Sequence, residues 1–231
     1  MFVTRGLVGG FARLVVSRCG VAATEFALCL PFLLGAGLMG LEVANRAIVQ
    51  TQVAQLTAQI ADNASRIGDT STLQDRKIYE SDIVDLLRGA AVQGGGRLDL
   101  FGHGRVIVSS LEVVPGTDDQ QYIHWQRCAG TKHHLSSYGL EGDGLNGGLP
   151  GMGPSGKEVW AFPEEAVIFV EVVYDYQSLV GPRFGMTGEI VSTASFTVRD
   201  DRDLTQIYQR DPAAPDAVAS CTTYNDPTAE T

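Results

Sequence analysis

Glu25 is the ionisable residue whose position most needs a chemical reason. It opens a run, Phe26 to Leu41, in which the Cys29 thiol is the one other titratable side chain. A carboxylate inside a membrane-inserting helix costs about 2 to 3 kcal/mol at the bilayer centre, less near an interface, and such residues are usually functional. Five residues upstream stands Gly20, preceded by Arg18 and Cys19. Hydrolysis of the Gly20–Val21 peptide bond would make Val21 a new α-amino terminus and Glu25 the fifth residue of the shortened chain. Amine and carboxylate would then lie one helical turn apart, with the acid in the first turn, where the helix dipole favours it. Between neighbouring chains the same two charges could pair and set the axial register of an assembly. The plainer reading is that Glu25 rests at headgroup level and does nothing more.

The other reactive side chains do not form a reaction centre on spacing. His103, His124, His133 and His134 are the only histidines, and no C-x-x-C or H-E-x-x-H frame accompanies them, so a tetrahedral metal site lacks its ligands. Glu141-Gly142-Asp143-Gly144-Leu145-Asn146-Gly147 sets oxygens at alternate positions. It lacks the closing bidentate glutamate of a calcium loop and reads as a mobile acidic loop. No nucleophile elbow, phosphate-cradling glycine loop or Ser, His and Asp trio stands out. The expectation is a protein that is not an enzyme, with no metal or cofactor. Trp125 and Trp160 are candidates for a recognition surface, although an aromatic within a strand more often packs in a core.

Charge and length place these residues. The net charge of -10 over 231 residues argues against a nucleic-acid surface, which needs a basic stripe or patch. Arg5, Arg13 and Arg18 precede the apolar run with no acid among them, and the acids follow it. The positive-inside rule then sets the N-terminus in the cytoplasm and the bulk of the chain outside. Residues 1–20 read as a basic leader, too polar to span. A secretory signal would have a shorter apolar region ending at an A-x-A-like site. Residues 21–43 would form a helix about 35 Å long, enough to cross a bilayer.

Residues 44–68 continue it as an amphipathic stalk. Val49, Val53, Leu56, Ile60, Ala64 and Ile67 recur in steps of three and four, while Gln50, Gln52, Gln55, Gln59, Asp62 and Asn63 occupy other faces. Nothing breaks the pattern, so stem and stalk are expected to be one rod, stopped by Gly68-Asp69. Glu42 and Arg46 are spaced for an ion pair one turn apart near the outer interface. Pro31 lacks an N–H, frees the Ala27 carbonyl and should kink or loosen the helix in mid-membrane. Ala36, Gly37 and Gly40 form either a surface for close helix packing or an ordinary transmembrane glycine set.

The head, residues 69–210, is expected to be α+β. A second helix runs from about Leu73 to Ala91, ended by Gly94-Gly95-Gly96. Four strands follow in an antiparallel sheet, Arg105 to Val114, Gln121 to Cys128, Ala166 to Tyr176 and Glu189 to Arg199, each rich in β-branched and aromatic residues. The third alternates Ile168, Val170, Val172, Tyr174 and Tyr176 on one face, which suits a central strand packed on the stalk. Residues 129–163 hold nine of the 27 glycines, with Pro150, Pro154 and Pro163. That composition predicts a long surface loop. Residues 211–231 form an irregular tail. Cys128 and Cys221 both lie on the external side, where an oxidising compartment permits a disulfide, and they are expected to pair. The alternative is two unrelated thiols.

The run RCGVAATEFALCLPFLLGAGLMGLEVANR resembles the type IV prepilin signal: a basic leader ending in glycine, an apolar helix, and a glutamate five residues after the cut. More closely, it is similar to the TadE-type pilus assembly proteins, pseudopilins of the tight-adherence (Flp) system. Gly20, Glu25, Phe26, Ala27 and Pro31 fall where that pattern places them. Thr24, where valine is common, and Cys19, where a basic or small residue is commoner, depart from it. The resemblance covers Arg18 to Arg46 and is weak elsewhere. It implies a pilin-like minor component cut by a prepilin peptidase between Gly20 and Val21, with Glu25, Phe26 and Pro31 serving assembly and recognition. It also implies a single-pass protein of the bacterial inner membrane with a periplasmic head. Its partners would be the lipid bilayer, the peptidase and other pilins, with no nucleic acid. Two other readings stand beside it: a membrane-anchored binding or sensor domain that never enters a filament, and a secreted protein cut beyond Val43.

Overall fold

The computed structural model describes residues 19–69, 75–181, 185–198 and 202–227. The leader expected over residues 1–20 therefore lies outside the described residues except for its last two. One helix, α1 (Cys19–Ala64), comprises 46 residues and passes through Pro31 without ending. Stem and stalk are thus a single rod. Residues 20–41 are exposed on every side, and cover begins at Glu42. Beyond that point Val53, Leu56, Ile60 and Ala64 are buried, while Val49 and Ile67 pack at the margin. This is the stripe that the three-and-four spacing implies. The helix stops at Ala64 rather than near Gly68: Ser65 Oγ donates to Asp62 O (2.7 Å) and Arg66 N–H to Asn63 O (3.0 Å), meeting carbonyls the helix end leaves open, and Arg202 holds the carbonyls of Ser65 (3.2 Å) and Ile67 (2.7 Å) beyond it.

The second helix begins later than expected: it is α2 (Glu80–Leu98), and the expected start at Leu73 lies outside the described residues. Ile78 and Tyr79 ahead of it are held extended by the chain at Tyr208: Tyr208 N–H donates to Ile78 O at 2.8 Å, and Glu80 N–H to Tyr208 O at 3.0 Å. Asp82 Oδ2 then accepts from Tyr79 N–H at 3.1 Å and starts the helix. The glycine triplet interrupts the helix, as its composition implied: Gly95, at φ 66° and ψ 164°, leaves helical geometry, and a short second helical piece runs on to Leu98. Asp99 at φ 44° turns the chain into one further turn, α3 (Leu100–His103).

Four antiparallel strands form one open sheet in the order β2-β1-β3-β4: β1 (Gly104–Val113), β2 (Gln121–Ala129), β3 (Ala166–Asp175) and β4 (Glu189–Thr197). Strand β3 lies inside the sheet. Its Ile168, Val170, Val172 and Tyr174, followed by Tyr176, share one core with Val53, Leu56 and Ile60 of α1 and with Ile83 and Leu87 of α2. Full burial of each such side chain contributes about 1.5 to 3 kcal/mol. Trp125 packs into this core, whereas Trp160 is exposed. Tyr174 meets the need of its buried hydroxyl by donating to Leu98 O at 2.7 Å.

The opposite face of the sheet is covered as well, which composition did not show. Leu111, Ile123, Val167 and Phe169 form a second core with Met152 and Ala161 from the 129–163 segment, edged by Tyr138, Leu149 and Val159. That segment is a packed cover rather than a loose surface loop. Polar strand residues pin it: Gln121 accepts from Ala161 N–H (2.7 Å) and donates to its carbonyl (3.0 Å), and the buried Glu171 accepts from Ser137 N–H (3.1 Å). Gly144, at φ 89°, runs so close to β2 that a Cβ would lie 2.3 Å from Gln121 O. The acidic stretch is laid along the β2 edge, with Ile123 N–H to Asp143 O and Gly142 N–H to Ile123 O, at 2.9 and 2.8 Å.

The tail is irregular, as composition implied, and is fastened twice. Cys128 and Cys221 form a disulfide, and the buried Arg105 donates to the carbonyls of Gly130, Thr223 and Cys221 at 2.7 to 2.9 Å. The bridge joins residues 93 apart, and in the chain-entropy account a loop of that size stabilises by about 4.6 kcal/mol. Cys221→Ser is expected to lower the melting temperature by roughly 9 to 18 °C. Calorimetry of the detergent-solubilised chain checks this; an unchanged transition would mean the bridge adds nothing.

Candidate functional site

Gly20, Val21, Glu25, Phe26 and Pro31 all lie on the bare part of α1. The Gly20–Val21 bond sits in the first turn, since the helix begins at Cys19. Val21 and Glu25 are four residues apart, about 6 Å along the axis and on the same face. Thr24 Oγ1 donates to Val21 O at 2.8 Å, occupying a carbonyl beside the bond. The fold thus sets these five residues on one exposed helical stretch and brings no described part of the head to them. Phe26 and Phe32 are 61% and 79% exposed, and Leu28, Leu33 and Leu34 are likewise bare. An apolar surface of that extent requires a non-aqueous cover, and the helix is long and apolar enough to cross a membrane. A Cβ added at Gly35, Gly37 or Gly40 would meet nothing within 4 Å. Among the described residues nothing packs closely on these positions.

The junction between stem and head centres on Glu42, which spacing paired with Arg46. The structure separates them. Glu42 is fully buried, and its Oε2 accepts from the N–H groups of Leu179 (3.1 Å) and Val180 (3.2 Å). Arg46 instead donates to Thr187 O at 2.9 Å and lies 5.5 Å from the centre of the Tyr176 ring. Asn45 donates to the Tyr176 hydroxyl at 2.8 Å and accepts from Arg97 at 3.3 Å. Burial first, and then the hydrogen bond and charge of Glu42, push the Tyr176 phenol above its ordinary pKa, so it stays a neutral donor. The i,i+4 rule reports only neighbours on one helix, and here two backbone amides from a distant loop win the carboxylate.

Several ionisable groups of the head pair with one another. Glu112 accepts from Ser110 Oγ at 2.6 Å and faces His124 Nδ1 at 2.9 Å. Ser110 is buried, and its hydroxyl donates to Glu112 rather than to the His124 imidazole. His134 lies 3.4 Å from Glu171. Arg127 joins Glu80 to Glu141, and Lys132 joins Asp175 to Glu189, at 2.6 to 3.1 Å. Among the described residues no three His, Cys, Asp or Glu converge on a metal-sized site. No protein-family model, curated protein or solved structure matches the chain.

The hydrogen bond to Glu112 raises the His124 pKa, burial opposing it and the charges of Glu112 and Glu141 adding to it. A raised folded-state pKa contributes stability that is full below the unfolded value, about 6.5, and is lost as pH rises through the folded value. Melting temperature should therefore fall modestly between pH 6 and 8, by the equivalent of less than about 1 kcal/mol. His124→Gln should flatten that part of the profile; an unaltered slope would remove His124 as its source.

Proposed function

We propose that this protein is a TadE-like minor pilin or pseudopilin that takes part in assembling a tight-adherence pilus or a related secretion apparatus. The observation that carries the reading is a bare, membrane-length stem that bears Gly20-Val21 and Glu25 and runs without a break into the stalk of a folded head. The leader arginines face the cytoplasm and the head faces the periplasm. A prepilin peptidase then adds water across the Gly20–Val21 bond, leaving a carboxylate on Gly20 and an ammonium on Val21. The lack of a side chain at Gly20 suits a narrow peptidase subsite.

After cleavage, the Glu25 carboxylate has two claims on it: the helix dipole of its own chain and the Val21 ammonium of a neighbour. In a low-dielectric bilayer, pairing with the neighbour is favourable because either charge alone is costly there. Phe26 and the leucines beyond it supply the lateral apolar contact. Pro31, with one main-chain bond missing, lets the helix adjust as it leaves lipid for a helix bundle. Because α1 is continuous, the register set at Glu25 is transmitted to the head as a rigid offset.

The mature chain is expected to begin at Val21 when sequenced from cells holding the cognate peptidase. An intact Met1 in such cells would favour the anchored binding or sensor domain instead. Gly20→Ala, or a bulkier residue, should accumulate the uncut precursor on a gel, and normal maturation would overturn the processing assignment. Glu25→Ala should insert as well as the parent or better, since a membrane charge is removed. Its surface pili should nonetheless be greatly reduced by electron microscopy; abundant pili would refute a pairing role.

A further inference from the structure

The segment from Gln177 to Gly181 reaches down to the bare end of the stem. Leu179 and Val180 are held there by their amide bonds to Glu42. Counting about 1.5 Å per residue, Glu42 lies roughly 32 Å from Val21, close to the hydrocarbon thickness of a bilayer. Gly35, Leu38, Met39, Glu42 and Val180 line an apolar groove of about 410 Å³. Its floor is continuous with the uncovered surface of residues 20–41. Leu179, next to it, is 60% exposed. No charge occurs from Tyr176 to Gly181, in a chain of net charge -10. One helical turn beyond Glu42, Arg46 stands at the depth where lipid phosphates would lie.

We propose that the 177–181 segment is a membrane foot: Leu179 and Val180 enter the leaflet on the head side, and an acyl chain of that leaflet fills the groove against Gly35, Leu38 and Met39. The proposal rests on the membrane-spanning reading of the stem. Lipid is the occupant because three of the five lining residues belong to the bilayer-length stretch, so a chain already coating that stretch runs into the groove without leaving hydrocarbon. Glu42 is a positioning residue in this arrangement. It brings two backbone amides, which would otherwise be costly at the edge of lipid, to a fixed acceptor on the stem. The foot and stem then enter the bilayer as one unit, which sets the height and tilt of the head.

Nitroxides placed singly by Leu179→Cys, Leu34→Cys and Leu135→Cys test this, in the full chain carrying Cys19→Ser and Cys29→Ser. The chains are reconstituted at low density in phosphatidylcholine and phosphatidylglycerol vesicles. Position 179 should resemble position 34, more accessible to oxygen than to a water-soluble nickel chelate, with the ratio reversed severalfold at position 135. Glu42→Leu should move position 179 toward the aqueous pattern while position 34 is unchanged. Glu42→Gln, which keeps an acceptor oxygen, should preserve the lipid pattern. The foot is overturned if position 179 is aqueous, or shielded from both reagents by protein, while position 34 remains in lipid. It is overturned in its dependence on Glu42 if Glu42→Leu, with the near-ultraviolet dichroism of the head intact, changes nothing at position 179. An aqueous signal at position 34 would instead sink the membrane reading of the stem, and the foot with it.

Discussion

One helix has to satisfy two surroundings. Over residues 20–41 α1 is apolar apart from Thr24 and Glu25 and is exposed, while from Val53 to Ala64 only one stripe is apolar and that stripe is buried. The rest of the molecule is arranged on that second half. The sheet must offer a flat apolar face as long as the stripe, and the alternation of β3 from Ile168 to Tyr174 provides it. Helix α2 closes the side of the same core through Ile83 and Leu87. Where cover begins, a buried carboxylate needs partners, and the amides of Leu179 and Val180 supply them.

The sheet has a helix layer on one side only, yet β1 and β3 are buried on both sides. A glycine-rich cover takes the place of a second helix layer. Its backbone is largely irregular, so its polar groups must be met by the strands and by each other. Gln121, Gln126 and Glu171, polar residues buried in the sheet, do part of this. The two edges are treated differently. Strand β2 is bordered by residues 142–149 and by the tail, which the Cys128–Cys221 bridge and Arg105 hold in place. No described segment hydrogen-bonds along the outer side of β4.

Periodicity made much of this legible. The stalk stripe, the four strands and the inner face of β3 each follow from a repeat of 3.6 or 2 residues, because each buries against one broad partner. The proposed processing and assembly residues are singled out for a different reason: Gly20 and Glu25 stand out against their own neighbours. What periodicity missed was set by distant chain. Ile78 and Tyr79 look like part of a helix until Tyr208 takes the Ile78 carbonyl and the Glu80 N–H. Glu42 looked like the partner of Arg46 because nothing local points to a loop 137 residues away.

The sequence by itself determined a bilayer-length stem, its continuation as a stalk and the strands, and offered the Cys128–Cys221 bridge as one of two readings, which the structure bears out. The stem, stalk and strands follow from local composition and periodicity. Tertiary structure alone decided that residues 129–163 cover a second core rather than form a loose loop, that Tyr208 delays the start of α2, and that Glu42 joins stem to head. Each depends on backbone donors and acceptors finding partners far along the chain. A hydrogen bond is satisfied by whichever group arrives in space, and sequence spacing carries little record of that.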